Sequence, residues 1–337
     1  MKLSVLDQST AAAGQPEDQA VRDTIELAAH CEALGYHRFW VSEHHNHSTI
    51  VGTAPEMIMA AIAQSTDRIR IGSAGVMLPH YAPFKVAEQF RILEALAPGR
   101  IDLGLGRAPG SDGKTAFALN PNAHEDAEHF PANVRDLMAW VAGEPLVEGH
   151  PFGDLVAHPQ GTTSPEVWML GTSDYGAQVA AHFGMPYCFA HFITDGRGVE
   201  RALDIYRQGY RPSARFPKPV ANVCAWALAA ETEDAAEHLV RSRLAWKLFR
   251  DTGDLRAVEA PEAFDEAALS AAERARLDAI RSATIYGGAE RVAERLRDVA
   301  AGYGIQLLVV LTWSYHQADR RRSYELLAEA FELEGTS

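Results

Sequence analysis

Six consecutive residues carry side chains that could transfer protons or bind a metal ion. Residues 42–47 are Ser-Glu-His-His-Asn-His and come at the end of an apolar run that begins at Arg38. A neutral histidine here would suit proton transfer near pH 7. Imidazole and carboxylate groups also bind zinc. The segment therefore indicates a proton-transfer site, with a metal site and a solvated loop as alternatives. Strand alternation would turn Ser42 and His44 to one side and Glu43 and His45 to the other.

Two further segments have residues suited to binding an anion. Residues 104–107 (Gly-Leu-Gly-Arg) place Arg107 after glycines, and residues 171–176 (Gly-Thr-Ser-Asp-Tyr-Gly) lead into a predicted helix. Arginine binds phosphate in a bidentate manner, and the N–H groups at a helix start bind anions. Ser173 or Asp174 would cap this helix. The pair predicts a two-sided phosphate site, with a surface ion pair and ordinary helix capping as the alternatives.

A third apolar run ends in small residues. Residues 71–80 are Ile-Gly-Ser-Ala-Gly-Val-Met-Leu-Pro-His. Small side chains at a strand end let a flat ligand approach the backbone closely, although glycine is also common at such turns. Trp40, Trp313, Phe192 and Tyr81 are candidates for an apolar pocket wall, and we expect Trp40 to belong to the core.

All these segments follow short apolar runs, which we interpret as buried strands. Several runs lack alternation, which is typical of parallel strands covered on both faces. Amphipathic helices separate them, and eight such repeats predict a closed (β/α)₈ (TIM) barrel with its site at the carboxyl ends of the strands. A doubly wound open sheet is the competing architecture. The predicted strands are Lys2 to Leu6, Arg38 to Ser42, Arg68 to Ala74, Arg100 to Leu105, Val167 to Gly171, Pro186 to Ala190, Ala221 to Ala229 and Gln306 to Leu311.

Three stretches exceed the usual loop length of ~2–6 residues. They are Arg107 to Ala123, Gly143 to Pro165 and Asp251 to Ala283. We interpret them as insertions in one barrel domain over residues 1–337, because the strand count closes only if both halves contribute. We expect the first and third to help close the site. Gly287 and Gly288 are interpreted as a turn before the last crossover helix.

Composition limits the partners and the compartment. The 337 residues include 31 Lys and Arg against 45 Asp and Glu, a formal charge of −14. This acidic balance argues against a nucleic-acid or anionic-membrane surface. The three cysteines form no CxxC pair, which predicts a cytoplasmic protein. No apolar stretch approaches the ~18 residues of a membrane span.

The ordered motifs resemble the bacterial luciferase-like family of flavin-dependent monooxygenases. Residues 39–46, 70–79, 96–107 and 167–185 carry the resemblance, which covers nearly the whole chain and is strongest from Met1 to Asn122. It implies a (β/α)₈ barrel that binds FMN, with a non-proline cis peptide at Ala74–Gly75 supporting the flavin ring. It also implies that His44 faces the flavin as the catalytic residue and that Glu43 lines the same wall.

The resemblance further implies that the FMN phosphate lies between Arg107 and the turn after the fifth predicted strand, at Thr172, Ser173, Tyr175 and Gly176. Light-emitting members have a cysteine at the position of Gly106 and a glutamate at that of Thr172. These departures predict a member of the non-luminescent branch, which oxygenates a small organic substrate with dioxygen.

The leading hypothesis is an FMN-dependent monooxygenase whose reduced flavin comes from a separate reductase. Residues 104–106 lack the helix entry of a dinucleotide-binding motif, and no second nucleotide site is visible. The alternatives are a deazaflavin-dependent hydride-transfer enzyme, a non-catalytic flavin-binding barrel and a metal-dependent hydrolase. A homodimer is expected from the family, through the apolar segments Ala54 to Gln64 and Pro83 to Leu96; the alternative is that both segments pack internally.

Overall fold

The computed structural model describes residues 1–108 and 110–335 and contains a closed barrel of eight parallel strands. The barrel strands are β1, β2, β3, β5, β6, β7, β8 and β10, and pairing of β8 with β10 completes the ring. The strands comprise β1 (Lys2–Asp7), β2 (Arg38–Val41), β3 (Arg70–Ser73), β4 (Val76–Met77), β5 (Ile101–Gly106), β6 (Glu166–Gly171), β7 (Tyr187–Phe189), β8 (Ala221–Ala230), β9 (Ile285–Gly288) and β10 (Leu307–Leu311).

Helices surround this barrel. They are α1 (Glu17–Ala33), α2 (Pro55–Ser65), α3 (Pro83–Leu96), α4 (Gly113–Leu119), α5 (Ala123–Glu128), α6 (Phe130–Ala142), α7 (Asp174–Phe183), α8 (His191–Thr194), α9 (Val199–Gly209), α10 (Glu233–Arg250), α11 (Ala271–Ala283), α12 (Ala289–Gly302) and α13 (Gln317–Ala330). The predicted barrel is thus confirmed, and the open sheet is excluded by the closing β8–β10 pairing.

The side chains of each strand alternate between two apolar layers. Val5, Phe39 and Val41 pack outward against the helices, whereas Leu6 and Trp40 belong to a cluster inside the barrel. Because both faces of each strand are buried, the apolar runs in the sequence show little alternation. The polar residues that follow the runs are left at the rim, where the strands end.

Two interpretations of the connections need correction. Gly287 and Gly288 are not a turn: they end β9, which pairs in parallel with Ala227–Ala230 at the end of β8. At ten residues β8 is the longest strand, so its last residues extend past the ring and leave backbone groups for β9 to bind. The stretch Asp251 to Ala283 is also not all loop, since α11 occupies its second half and is capped by Ser270 and Glu273.

The described residues include no helix that is both long and apolar enough to cross a lipid bilayer. All three cysteines are buried as free thiols.

Candidate active site

The carboxyl ends of the strands surround a cavity of about 310 Å³. Its walls are mostly apolar, and this is the size range of small-molecule sites. Aromatic and aliphatic residues of the wall include Leu6, Trp40, Leu170, Phe192, Leu311, Trp246 and Trp313, and its ionisable side chains include Glu43, His44, His47, Arg243 and Arg250.

Trp40 forms part of this wall and is also buried, as its assignment to the core predicted. Its indole Nε1 donates to Asp102 Oδ2 at 2.9 Å, deep in the barrel. Burial alone would raise the pKa of Asp102, but the Arg38 and Arg70 guanidiniums outweigh it and hold that pKa below its usual value. The ion cluster therefore gives Trp40 a fixed partner and fixes the position of its ring.

Glu43 is a buried carboxylate with three donors. Met77 N–H donates to one oxygen at 3.1 Å and the Tyr81 hydroxyl donates to the other at 2.8 Å. His45 Nε2 also lies 2.8 Å from Glu43, so this link uses the Nε2–H tautomer or the charged imidazole. Burial and the neighbouring Glu43 carboxylate raise the pKa of Tyr81 well above its usual value, which keeps the hydroxyl protonated as a donor. Glu43 is thereby held rigidly in the cavity wall.

His44 lines the cavity next to Glu43. Its Nδ1 is buried and has no hydrogen-bond partner within the part of the chain that the structure describes. Burial, together with the neighbouring His47 and His45 rings, lowers the pKa of His44 to about 4. The imidazole is therefore neutral at pH 7, with one ring nitrogen able to accept a proton or a hydrogen bond from a molecule in the cavity.

The expected alternation beyond the second strand does not hold. Glu43 and His44 both line the cavity, although alternation would place them on opposite sides. The reason is that β2 already ends at Val41, so the following backbone is no longer extended strand.

The strand-three tip approaches the cavity with its backbone. The Ala74–Gly75 peptide bond is cis, as the family resemblance implied, and both residues line the cavity. A Cβ atom on Gly75 would lie 2.7 Å from the carbonyl oxygen of Gly104 and 2.8 Å from Leu170 Cδ1. Only glycine fits between these neighbours, so the backbone itself forms a flat part of the wall.

The two segments predicted to bind phosphate come together at the rim. The Arg107 guanidinium lies over the Tyr175 ring, 4.5 Å from its centroid, and its Nε donates to Ala127 O at 3.2 Å. Ser173 caps α7, with its hydroxyl accepting from Gly176 N–H at 3.3 Å, while Thr172 immediately precedes the cap. An exposed cation thus lies beside a helix start whose dipole favours anions.

The first and third predicted insertions differ in their contact with the cavity. Ala108 and Gly110 of the first insertion line the cavity. From the third insertion, no described residue lines it; Leu255 and Arg256 instead accept hydrogen bonds from the hydroxyls of Ser48 and Thr49. Asp251 to Ala283 thus contributes no side chain to the cavity wall and instead braces the loop that follows β2, and its expected part in closing the site stays a prediction.

The other two histidines of the polar segment have separate partners. His45 binds Glu43, and His47 Nδ1 accepts from the N–H groups of Thr49 and Ile50 at 3.1 Å each. Within residues 1–108 and 110–335, no three His, Cys, Asp or Glu side chains form a group that could hold a metal ion.

Arg243 is one of the cavity residues that the sequence did not indicate. Arg243 is in the middle of the amphipathic helix α10, where an arginine ordinarily faces solvent, yet it is 4% exposed and lines the cavity. No motif or spacing singles it out. The sequence after residue 167 contains four tryptophans, a pattern that indicates aromatic packing and nothing more specific. Three of them surround this guanidinium.

The family model for luciferase-like monooxygenases matches residues 1–306. The chain belongs to this family. The chain is thus a flavin-dependent oxygenating enzyme of the luciferase-like type, and the cavity at the barrel mouth is its candidate active site.

Two relatives from Bacillus subtilis match over nearly the whole chain. The uncharacterised protein YwcH is 41% identical and an N-acetyl-S-alkylcysteine monooxygenase is 34% identical, each over 98% of this chain and 99% and 98% of their own lengths. The likeness therefore covers the barrel, its insertions and the rim.

Solved structures show the same fold. The structure of apo-MsnO8 superposes with a TM-score of 0.87 at 34% identity, over 99% of both chains. At 18% and 16% identity, the oxygenating constituent of Pseudomonas putida 3,6-diketocamphane monooxygenase in complex with FMN and an F420-dependent secondary alcohol dehydrogenase have TM-scores of 0.72 and 0.69. They cover 98% of this chain, and 97% and 98% of their own. The last two show the fold alone.

Proposed function

We propose that this luciferase-like protein is an FMN-dependent monooxygenase that uses reduced FMN and dioxygen to oxygenate a small organic substrate. The observation that carries the proposal is a neutral imidazole in an apolar cavity, whose Nδ1 has no partner in the described part of the chain, with a cation and a helix start at the same rim. A relative named a monooxygenase at 34% identity favours oxygen chemistry, and so FMN rather than a deazaflavin, which performs hydride transfer without oxygen.

The residues present fit FMN. Its phosphate needs a cation and backbone donors, which Arg107 and the α7 start with Thr172, Ser173, Tyr175 and Gly176 would supply. Its ring needs a flat, apolar wall, which the Ala74–Gly75 backbone would supply. The buried Nδ1 of His44 has no partner among the described residues, and a polar edge inside the cavity would satisfy it.

When bound, reduced FMN supplies the electrons that let dioxygen react. The chain's own residues then exclude water with the apolar wall and hold the substrate beside His44. The neutral His44 imidazole accepts or returns a proton within the cavity, because its low pKa keeps it unprotonated beforehand. Glu43, held by Tyr81 and Met77, keeps the adjacent wall in place.

The function is tested by supplying reduced FMN from a separate flavin reductase, with dioxygen and an N-acetyl-S-alkylcysteine as the first substrate assayed. Incorporation of ¹⁸O from labelled dioxygen into product supports a monooxygenase. Tight binding of a deazaflavin with hydride transfer and no oxygen uptake would establish the alternative enzyme. Flavin binding with no turnover across a panel of thioethers, ketones and aldehydes would indicate a non-catalytic barrel.

Arg107→Met should weaken FMN binding by about tenfold to a hundredfold, because hydrogen bonds from a charged donor are worth ~1.5–3 kcal/mol. Riboflavin lacks the phosphate, so its affinity should stay nearly unchanged. Titration of both ligands by flavin fluorescence measures the difference. Arg22→Met serves as the control, because Arg22 is an exposed arginine of α1 that is paired with Asp18. An equal loss for riboflavin and FMN would remove Arg107 from the phosphate site.

We also propose a homodimer through α2 and α3. Met57 on α2 and Ile92 and Leu96 on α3 are exposed in the single chain, whereas their neighbours Met59 and Phe90 face the core. The native mass should be twice the 36.8 kDa of one chain. Ile92→Glu should shift light scattering to the monomer value, because burying a carboxylate without a partner is costly. A monomer in the wild type would refute the dimer.

A further inference from the structure

Arg243 is a cation of the cavity wall that the proposed FMN site does not use. Arg243 is 4% exposed, and its Nε and Nη1 atoms are buried without hydrogen-bond partners in the described residues. Three indole rings surround the guanidinium at 5.2–5.4 Å: those of Trp226, Trp246 and Trp313. Such rings stabilise a cation through their faces but accept no hydrogen bonds from its N–H edges. The Nε and Nη1 donors are therefore not used by the described residues.

The nearby carboxylates are committed to other cations. Asp195 binds Lys247, and Asp251 binds both Arg250 and Arg276. Burial is the main reason that the pKa of Arg243 falls to about 9, and the guanidinium is still charged at pH 7. A buried charge without a counter-ion is strongly unfavourable. Among the described residues, no carboxylate forms an ion pair with this desolvated cation.

The position of Arg243 separates it from the expected flavin ring. It is carried by α10, the helix that follows β8, whereas Ala74 and Gly75 follow β3. In the ring of eight barrel strands, β8 is four strands from β3 in either direction. Arg243 thus enters the cavity from the wall opposite the proposed flavin wall, where the substrate would lie.

We propose that Arg243 binds a carboxylate on the organic substrate, so that the substrate class is a small carboxylic acid with an apolar body. A planar guanidinium edge matches a carboxylate in a bidentate manner. The apolar body would contact Trp246 and Trp313, which also line the cavity. The inference rests on the proposed function in one respect: it takes the bound carboxylate to be the substrate of that reaction. Binding of the anion itself is measurable without flavin.

Binding is measured on the full chain without added flavin, through the fluorescence of the tryptophans around Arg243. Two matched ligand pairs are titrated: hexanoate against hexanamide, and N-acetyl-S-ethylcysteine against its amide. Members of a pair have nearly the same shape and differ in charge. We expect the better carboxylate to bind about tenfold to a hundredfold more tightly than its amide, since a charged hydrogen bond is worth ~1.5–3 kcal/mol.

Arg243→Met should bring the two affinities within about threefold, and Arg243→Lys should leave an intermediate preference because an ammonium cannot bind both oxygens in parallel. Arg256→Met is the matched control: Arg256 also stacks on an aromatic ring, that of Phe249, but is paired with acids outside the cavity wall. The control should keep the full preference.

Thermal unfolding distinguishes a role of Arg243 in ligand binding from a role in stabilising the fold. Because removal of an unpaired buried charge relieves its desolvation cost, Arg243→Met should keep or raise the Tm. A large fall in Tm would give Arg243 a structural role and overturn the proposal. So would the absence of carboxylate preference in both pairs, or a preference that survives in Arg243→Met.

The flavin is tested as the competing ligand. If Arg243→Met weakens FMN binding as strongly as Arg107→Met while carboxylate binding is unchanged, the guanidinium serves the cofactor and the inference fails. Failure of the proposed function has a different signature: wild-type protein that binds neither FMN nor a deazaflavin, whatever the carboxylate titration shows.

Discussion

Replacing His44 by glutamine should lower the rate of product formation by about a hundredfold to ten-thousandfold, the usual contribution of one general acid–base group. Glutamine fills much of the same space and remains polar, but it cannot take up a proton. His44 is the group prepared to do so, because no described residue binds its buried Nδ1 and its pKa is about 4. Product is measured per reduced FMN supplied, with hydrogen peroxide as the competing outcome.

The control for this variant is His182→Gln, which makes the same change on the exposed face of α7. FMN affinity should change little in either protein. Product formation in His44→Gln within about threefold of wild type would remove His44 from the mechanism.

Acid titration gives a readout for His44 that does not require the cofactor. The native pKa of about 4 lies below the ordinary value of 6.5, so between these values the unfolded chain binds more protons than the native one. The free energy of unfolding therefore falls as the pH drops from 6.5 to 4, by up to about 3 kcal/mol from this group. His47 has a lowered pKa as well and acts in the same direction.

His44→Gln should lose correspondingly less stability over the same range, since glutamine does not titrate. Urea unfolding of both proteins at pH 7 and pH 4.5 tests this. Identical losses in the two proteins would show that His44 is not buried in its neutral form.

Gly75→Ala should destabilise the barrel and impair the flavin wall together. The added Cβ would lie 2.7–2.8 Å from the backbone of Gly104 and from Leu170 Cδ1. Gly104 is in the middle of β5 and cannot retreat without disturbing its pairing with β6 at Trp168. Overpacking of this kind costs about 1–3 kcal/mol, and we expect the upper end because backbone atoms are involved. FMN binding should also weaken by at least about tenfold.

The matched control is Gly171→Ala, at the end of β6. A Cβ atom there meets nothing within 4 Å, so the Tm should stay close to that of the wild type. Urea unfolding measures the stability of both variants, and fluorescence titration measures FMN affinity. A Gly75→Ala protein as stable as Gly171→Ala would show that the strand-three tip has room for a side chain.

Much of the fold could be predicted because its signals are local. Parallel strands covered on both faces leave continuous apolar runs, such as Leu307–Leu311, and their polar successors mark the rim. The same locality applies to the Ser173 cap and to the segment around His44. The residues named from family resemblance, among them Arg107 and Tyr175, are indeed neighbours, although their role in binding FMN stays a prediction.

Other features depend on contacts that no local pattern encodes. The link between Tyr81 and Glu43 joins residues 38 positions apart, and the Arg243 guanidinium meets Trp313 from 70 residues further along the chain. An arginine in an amphipathic helix ordinarily reaches solvent, and only the packing of α10 against the barrel mouth buries this one. Likewise, β9 forms because the end of β8 offers free backbone groups, not because residues 285–288 resemble a strand. Local residue patterns thus establish which elements form and which polar groups follow them. Burial and the pairing of distant residues arise only when the ring of strands closes, and they set the pKa values and leave hydrogen-bond donors unused.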